Sequence, residues 1–166
     1  MTVYQCADEF KTTPPYYDKT WNSICNSGCA LASITMVLNY YLDKEGLPMV
    51  DILELNNWLN NRKNGYIGSG KVNWWALDKY LDANIKFVES SDIEYIAKLN
   101  DELTKGYPMI LKVFNSKAGR YHFVVTVGKS GETWDIIDPG YQPQKTTLAE
   151  RYGNRFQGIR VYEPYK

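Results

Sequence analysis

Histidine occurs once in this chain, at His122, so a proton shuttle working near neutral pH has one side chain to use. Cysteine is almost as scarce. Cys6, Cys25 and Cys29 are an odd number, which excludes a complete disulfide framework and leaves at least one thiol free. Neither sign of charge is in excess: 19 Lys plus Arg face 19 Asp plus Glu, so no global field draws in nucleic acid or anionic lipid. Long apolar runs are missing too, and residues 1–10 lack the basic start and apolar stretch of a signal peptide. These absences predict a soluble chain with no nucleic-acid partner, no membrane insertion and no exporting leader.

What is present is aromatic. Fourteen Tyr and 5 Trp help raise the aromatic share to 14%, enough to line a peptide-binding groove as well as a core. At 166 residues the chain is large enough to bury its own core, and one domain over 1–166 is expected. Residues 1–22 are polar and broken by Pro14 and Pro15, which reads as an extended arm wrapped on that domain.

From Cys29 onward, Leu31, Ile34, Val37, Leu38 and Tyr41 recur at three and four residues, the period of a helix buried on one side, with Gly46 and Pro48 ending it. Further helices are expected over "MVDILELNNWLNN", "VNWWALDKYLDAN" and "SDIEYIAKLNDELTKG", the last with Ser91 as N-cap, Glu94 three positions on and Gly106 past its end. The texture then changes to β runs, "PMILKVF", "YHFVVTVGK", "TWDIID" and "GIRVYE", with a hairpin turn at Lys129, Ser130 and Gly131. Helices first and strands second predict an α+β domain.

One short pattern misleads. "GYIGSGKV" nearly matches a phosphate-binding loop, but Val72 stands where a hydroxyl should bind magnesium, and the residues before Gly65 are too polar for a buried strand. It reads as a glycine-rich surface loop, and no cofactor is expected.

The chemistry gathers elsewhere. Gly28 lets the backbone turn before Cys29, and the helix that follows offers unpaired N–H groups and partial positive charge to a thiol. Such surroundings lower a thiol pKa into the range of about 3.5 to 7.5. His122, at the start of a strand, is the available base. After the hairpin the next strand runs into "DPG", where antiparallel pairing brings Asp138 beside His122 to set its tautomer. A Cys₃His zinc site from Cys6, Cys25, Cys29 and His122 is a competing reading of the same residues, though no metal is the expected outcome.

"YYDKTW", "GCALASITMVLNYY", "GYIGSGKVNWWALDKYL", "KGYPMILKVF" and "YHFVVTVGKSGETWDIIDPG" resemble, in order, the segments of C39-like cysteine peptidases, a branch of the papain-like group. The resemblance implies a papain-like fold, with Cys29 as nucleophile, His122 as general base and Asp138 as its orienting partner. It also implies a Gln ahead of the nucleophile as oxyanion donor. Tyr16 stands about where that Gln is expected, and Gln5, the only upstream Gln, lies much farther from Cys29. Tyr16 or Asn22 is therefore the expected second donor, with Trp74 along the groove. The implied activity is amide hydrolysis through an acyl-cysteine, on peptides and in particular on cell-wall peptides. A catalytically weak module of the same fold, acting by binding a protein partner, is the alternative.

Overall fold

The computed structural model describes residues 2–11, 23–67, 71–80 and 84–165. Its frame is a six-stranded antiparallel sheet in the order β3-β8-β4-β5-β6-β7, formed by β3 (Ile85–Ser91), β4 (Met109–Asn115), β5 (Arg120–Ser130), β6 (Thr133–Ile137), β7 (Lys145–Thr147) and β8 (Gly158–Pro164). Neighbouring residues along these strands go to opposite sides, as the pleat requires. Ile110, Val125 and Tyr162 join one apolar cluster, and Leu111, Val124 and Val161 join another. The sheet is thus covered on both faces: α2 (Cys29–Lys44) and α3 (Ile52–Asn60) contribute to the first cluster, and α4 (Ile96–Thr104) and α5 (Leu148–Tyr152) to the second.

The helix expected from Cys29 is α2, and Gly28 separates it from one preceding helical turn, α1 (Ile24–Ser27). A Cβ on Gly28 would lie 2.4 Å from the Ile24 carbonyl oxygen, so close backbone approach is what demands glycine there. α2 is buried well beyond the single face its periodicity suggests. Ala32, Ser33, Thr35, Met36 and Asn39 are covered along with Leu31, Ile34, Val37 and Leu38, because the helix lies between the sheet and α3. Each fully buried Leu or Ile contributes about 1.5–3 kcal/mol. Two of the polar members are satisfied: Thr35 donates to the Leu31 carbonyl at 2.8 Å, and Asn39 brackets Val50 with bonds of 2.9 and 2.7 Å, whereas the buried Ser33 hydroxyl has no partner among the described residues.

Two expected helices differ. Residues 73–80 form only a 3₁₀ turn, Trp74–Lys79, because the Asp78 carboxylate accepts from the Phe87 N–H and ties the segment to β3. Ser91 is no N-cap. It ends β3, opposite Ile159, and its carbonyl accepts from Arg160 at 3.0 Å, while Glu94 pairs with Arg155; the helix starts later, at Ile96. The alternation of Ile85 and Phe87, both buried, outweighs the capping pattern. The hairpin turn falls slightly later than expected, at Gly131 and Glu132, with Gly131 at φ +61. The glycine-rich loop is a small hairpin, β1 (Tyr66–Ile67) with β2 (Lys71–Val72), whose tip lies outside the described residues.

Candidate active site

The α2 N-terminus meets the sheet at β5. Cys29, the first residue of α2, is half-buried and carries the free thiol; Cys6 and Cys25 are joined in a disulfide. That bond removes two members of the Cys₃His set, so the zinc reading fails on thiolate ligands. Among the described residues no three His, Cys, Asp or Glu side chains are grouped to hold a metal.

His122 is the third residue of β5, opposite Val113 of β4, and is 7% exposed. Because Val125 pairs with Ile137, the chain leaving β6 runs back alongside His122. Asp138 follows immediately, fully buried, with Oδ1 at 2.8 Å from His122 Nε2. Its other bonds hold it still. The Gly140 N–H donates to Oδ1 at 2.9 Å, Tyr152 O–H donates to Oδ2 at 2.7 Å, and Arg151 Nη1 lies 3.2 Å from Oδ2. With Nε2 spent on Asp138, Nδ1 is the imidazole nitrogen left for the thiol.

The electrostatics follow from this burial and pairing. Burial pushes the Cys29 thiol up, but the His122 imidazolium and the backbone N–H groups of Phe123 and Ala30 outweigh it and hold the thiol below its ordinary value. Burial pushes His122 down, yet its bonds to Asp138 and Cys29 raise it to about 9. Asp138 is likewise pushed up by burial and brought below the usual carboxylate value by His122, Tyr152 and Gly140. Each of the three shifts is toward the charged form: thiolate at Cys29, imidazolium at His122, carboxylate at Asp138.

Cys29 and His122 open into a cavity of about 400 Å³, also lined by Gln5, Asn115, Tyr121 and Tyr141. Gln5 is the residue that its distance in sequence concealed. Its backbone N–H donates to the Pro139 carbonyl at 2.9 Å, and its Nε2 donates to the Cys25 carbonyl at 2.6 Å. The arm thus crosses beside the thiol 24 residues before Cys29 is reached in the chain. The odd cysteine count held the clue, since pairing Cys6 with Cys25 brings Gln5 to the site.

Tyr16 and Asn22 lie outside the described residues. Trp74 is not in the cavity lining: it packs on Phe123, ring centroids 5.2 Å apart, with the Arg160 guanidinium 5.5 Å from its ring, and its carbonyl accepts from Tyr162. An aromatic beside a groove in sequence terms is here a support behind β5.

A cysteine heading a buried helix, facing a histidine–aspartate pair on an antiparallel sheet, is the arrangement of the papain-like peptidase fold. The chain belongs to the Peptidase_C39 like family, whose sequence profile matches residues 10–165. Among solved structures it is similar to a Bacillus anthracis protein assigned to the C39-like peptidases, at 18% identity and TM-score 0.52 over 82% of this chain and 90% of that one. It is also similar to the peptidase domain of Streptococcus ComA, a bifunctional ABC transporter of a quorum-sensing pathway, at 20% identity and TM-score 0.53 over the same shares. No curated protein matches the sequence. Among the described residues no helix is long and apolar enough to cross a membrane.

Proposed function

We propose that the protein is a cysteine peptidase or amidase that hydrolyses amide bonds through an acyl-cysteine intermediate. The observation that carries this reading is the Cys29, His122 and Asp138 constellation in an open cavity, with the thiol lowered and the imidazole raised. The Cys29 thiolate attacks the substrate carbonyl carbon, forming an S–C bond as the carbonyl π pair moves to oxygen. The backbone N–H of Cys29 and the second hydrogen on Gln5 Nε2 are the donors suited to that oxyanion. Collapse breaks the C–N bond, and His122 delivers its Nδ1 proton to the leaving amine. Water then attacks the thioester, giving its proton to the now neutral His122, and the thiolate leaves. Asp138 keeps the ring in the tautomer and orientation that both steps require.

Cell-wall peptides are the proposed substrates, in keeping with Tyr121 and Tyr141 along the cavity. The alternative of a catalytically weak or inactive binding module drew on a missing oxyanion donor; Gln5 in the cavity supports the hydrolase reading instead. The test is mass-spectrometric identification of products after wild type and Cys29→Ala are incubated with muropeptides and with unstructured peptides. New amide-bond products from wild type alone are expected; none from either substrate class would refute the hydrolase reading.

A further inference from the structure

The cavity at Cys29 does not end at Tyr141. Asn115 and Tyr141 also line a second cavity of about 280 Å³, whose walls include Ser116, Lys117, Gln142 and Arg151. The partition between the two is a bond in which Asn115 Nδ2 donates to the Tyr141 hydroxyl oxygen. Tyr141 is 39% exposed, and its own hydroxyl hydrogen has no acceptor among the described residues. Asn115 is nearly buried, and its Oδ1 accepts from the Ala118 N–H at 3.1 Å, which fixes the turn between β4 and β5. That turn places Lys117 on the second cavity and Arg120 on the first.

The charges in this region do not cancel. Cys29 is paired with His122, and buried Asp138 has Arg151 at 3.2 Å. Lys117 and Arg120 remain, both exposed, and neither has a carboxylate partner among the described residues. No Asp or Glu among the described residues lines either cavity. The unspent charged groups are donors, the Lys117 ammonium and the Arg120 guanidinium, joined by the Tyr141 hydroxyl; Gln5 Oε1, buried at the first cavity, is an acceptor without a partner among the described residues. A neutral substrate would leave two cations facing a groove with nothing to pair. An anion accepts from all three kinds of donor, and a guanidinium matches a carboxylate in shape as well as charge.

We infer that the paired cavities form an anion-selecting subsite, and that the preferred substrate is a peptide carrying a carboxylate within a few residues of the scissile bond, held by Lys117, Arg120 and Tyr141. This deepens the hydrolase reading and rests on it for the word substrate. The carboxylate can come from an acidic side chain or from a free C-terminus.

The test needs no turnover. Full-length Cys29→Ala is titrated by NMR with three peptides: acetyl-Ala-Ala-Glu-Ala-amide, its Gln counterpart, and acetyl-Ala-Ala-Ala-Ala with a free C-terminal acid. One or both acidic peptides should bind roughly fivefold tighter than the Gln peptide at low salt, the scale of two exposed ion pairs, with the gap narrowing at high salt. Which acidic peptide gains identifies the source of the carboxylate. Lys117→Gln with Arg120→Gln should abolish the preference, and Lys117→Arg with Arg120→Lys should keep it. Equal affinities, no binding of any peptide, or a preference untouched by the double Gln change would overturn the subsite. Wild type that binds the acidic peptides but cleaves neither them nor muropeptides would overturn the hydrolase reading and leave the subsite standing.

Discussion

Gln5 donates through Nε2 to the carbonyl of Cys25 at 2.6 Å, and the residue after Gln5 is bonded to Cys25 through sulfur. With the bond from the Gln5 N–H to Pro139, the arm is tied to both α1 and the segment that holds Asp138. The Gln5 amide is thereby held in place at the cavity that Cys29 and His122 line.

Gln5→Ala should lower kcat by about 10²- to 10³-fold, the usual loss for one oxyanion donor. The rate at which iodoacetamide alkylates Cys29 should hardly change, since the thiolate pairing with His122 is untouched. Equal losses in both rates would move Gln5 from oxyanion binding to thiol activation.

The Cys6–Cys25 disulfide spans 19 residues, and opening a loop of that size costs about 3 kcal/mol. Cys6→Ser should therefore lower the unfolding free energy by that order in urea titrations. It should lower turnover as well, because Gln5 loses its covalent neighbour, and a dithiol reductant should reproduce both effects in wild type. Wild-type activity in the variant would show that the hydrogen bonds of Gln5 hold it unaided.

The pH profile follows from the pair. Alkylation of Cys29 should begin below the ordinary thiol value of 9.0, and turnover should fall on the alkaline side as His122 loses its proton near about 9. In His122→Gln the alkylation curve should move up toward the ordinary thiol value. Stability carries a sign of its own. A raised histidine pKa contributes below the unfolded value and is lost as pH rises through about 9, so the stability gap between wild type and His122→Gln should shrink across that range. Cys29, lowered, contributes in the opposite sense: fully above the unfolded thiol value, less as pH falls through its folded one.

Gly140 lies against the histidine ring. A Cβ there would sit 2.8 Å from His122 Cε1 and 3.2 Å from Nε2, too close to coexist with the present ring position. Gly140→Ala should displace the imidazole from Asp138 and depress turnover strongly while the far-ultraviolet circular dichroism stays native. Full turnover would mean that the ring position tolerates more freedom than the geometry suggests.

Tyr152→Phe removes a donor from a fully buried carboxylate, a change worth about 1–3 kcal/mol. Asp138 then holds the imidazolium less firmly, so the alkaline limb of activity should move to lower pH. Loss of stability with an unmoved limb would assign Tyr152 to packing alone.

The amino-acid pattern by itself determined the elements whose signals are local: the helix from Cys29, the helix after Asp51, the strands of β4, β5, β6 and β8, and the α+β class. The same patterns marked Cys29, His122 and Asp138 as candidates, because a glycine–cysteine helix start and a strand–hairpin–strand pair are local signals; the structure brings Asp138 to His122 and puts His122 and Cys29 on one cavity. Tertiary structure decided the rest. Ser91 had a good capping sequence, but Arg160 and β8 claimed it for a strand. Trp74 had groove chemistry but was taken by Phe123 and Arg160. Gln5 was dismissed by distance along the chain, yet a disulfide and two hydrogen bonds carry it to the thiol. Periodicity and capping are read within a few residues, whereas each of these three placements depends on partners from 20 to more than 130 positions away, and no local pattern encodes which distant group will compete for a side chain.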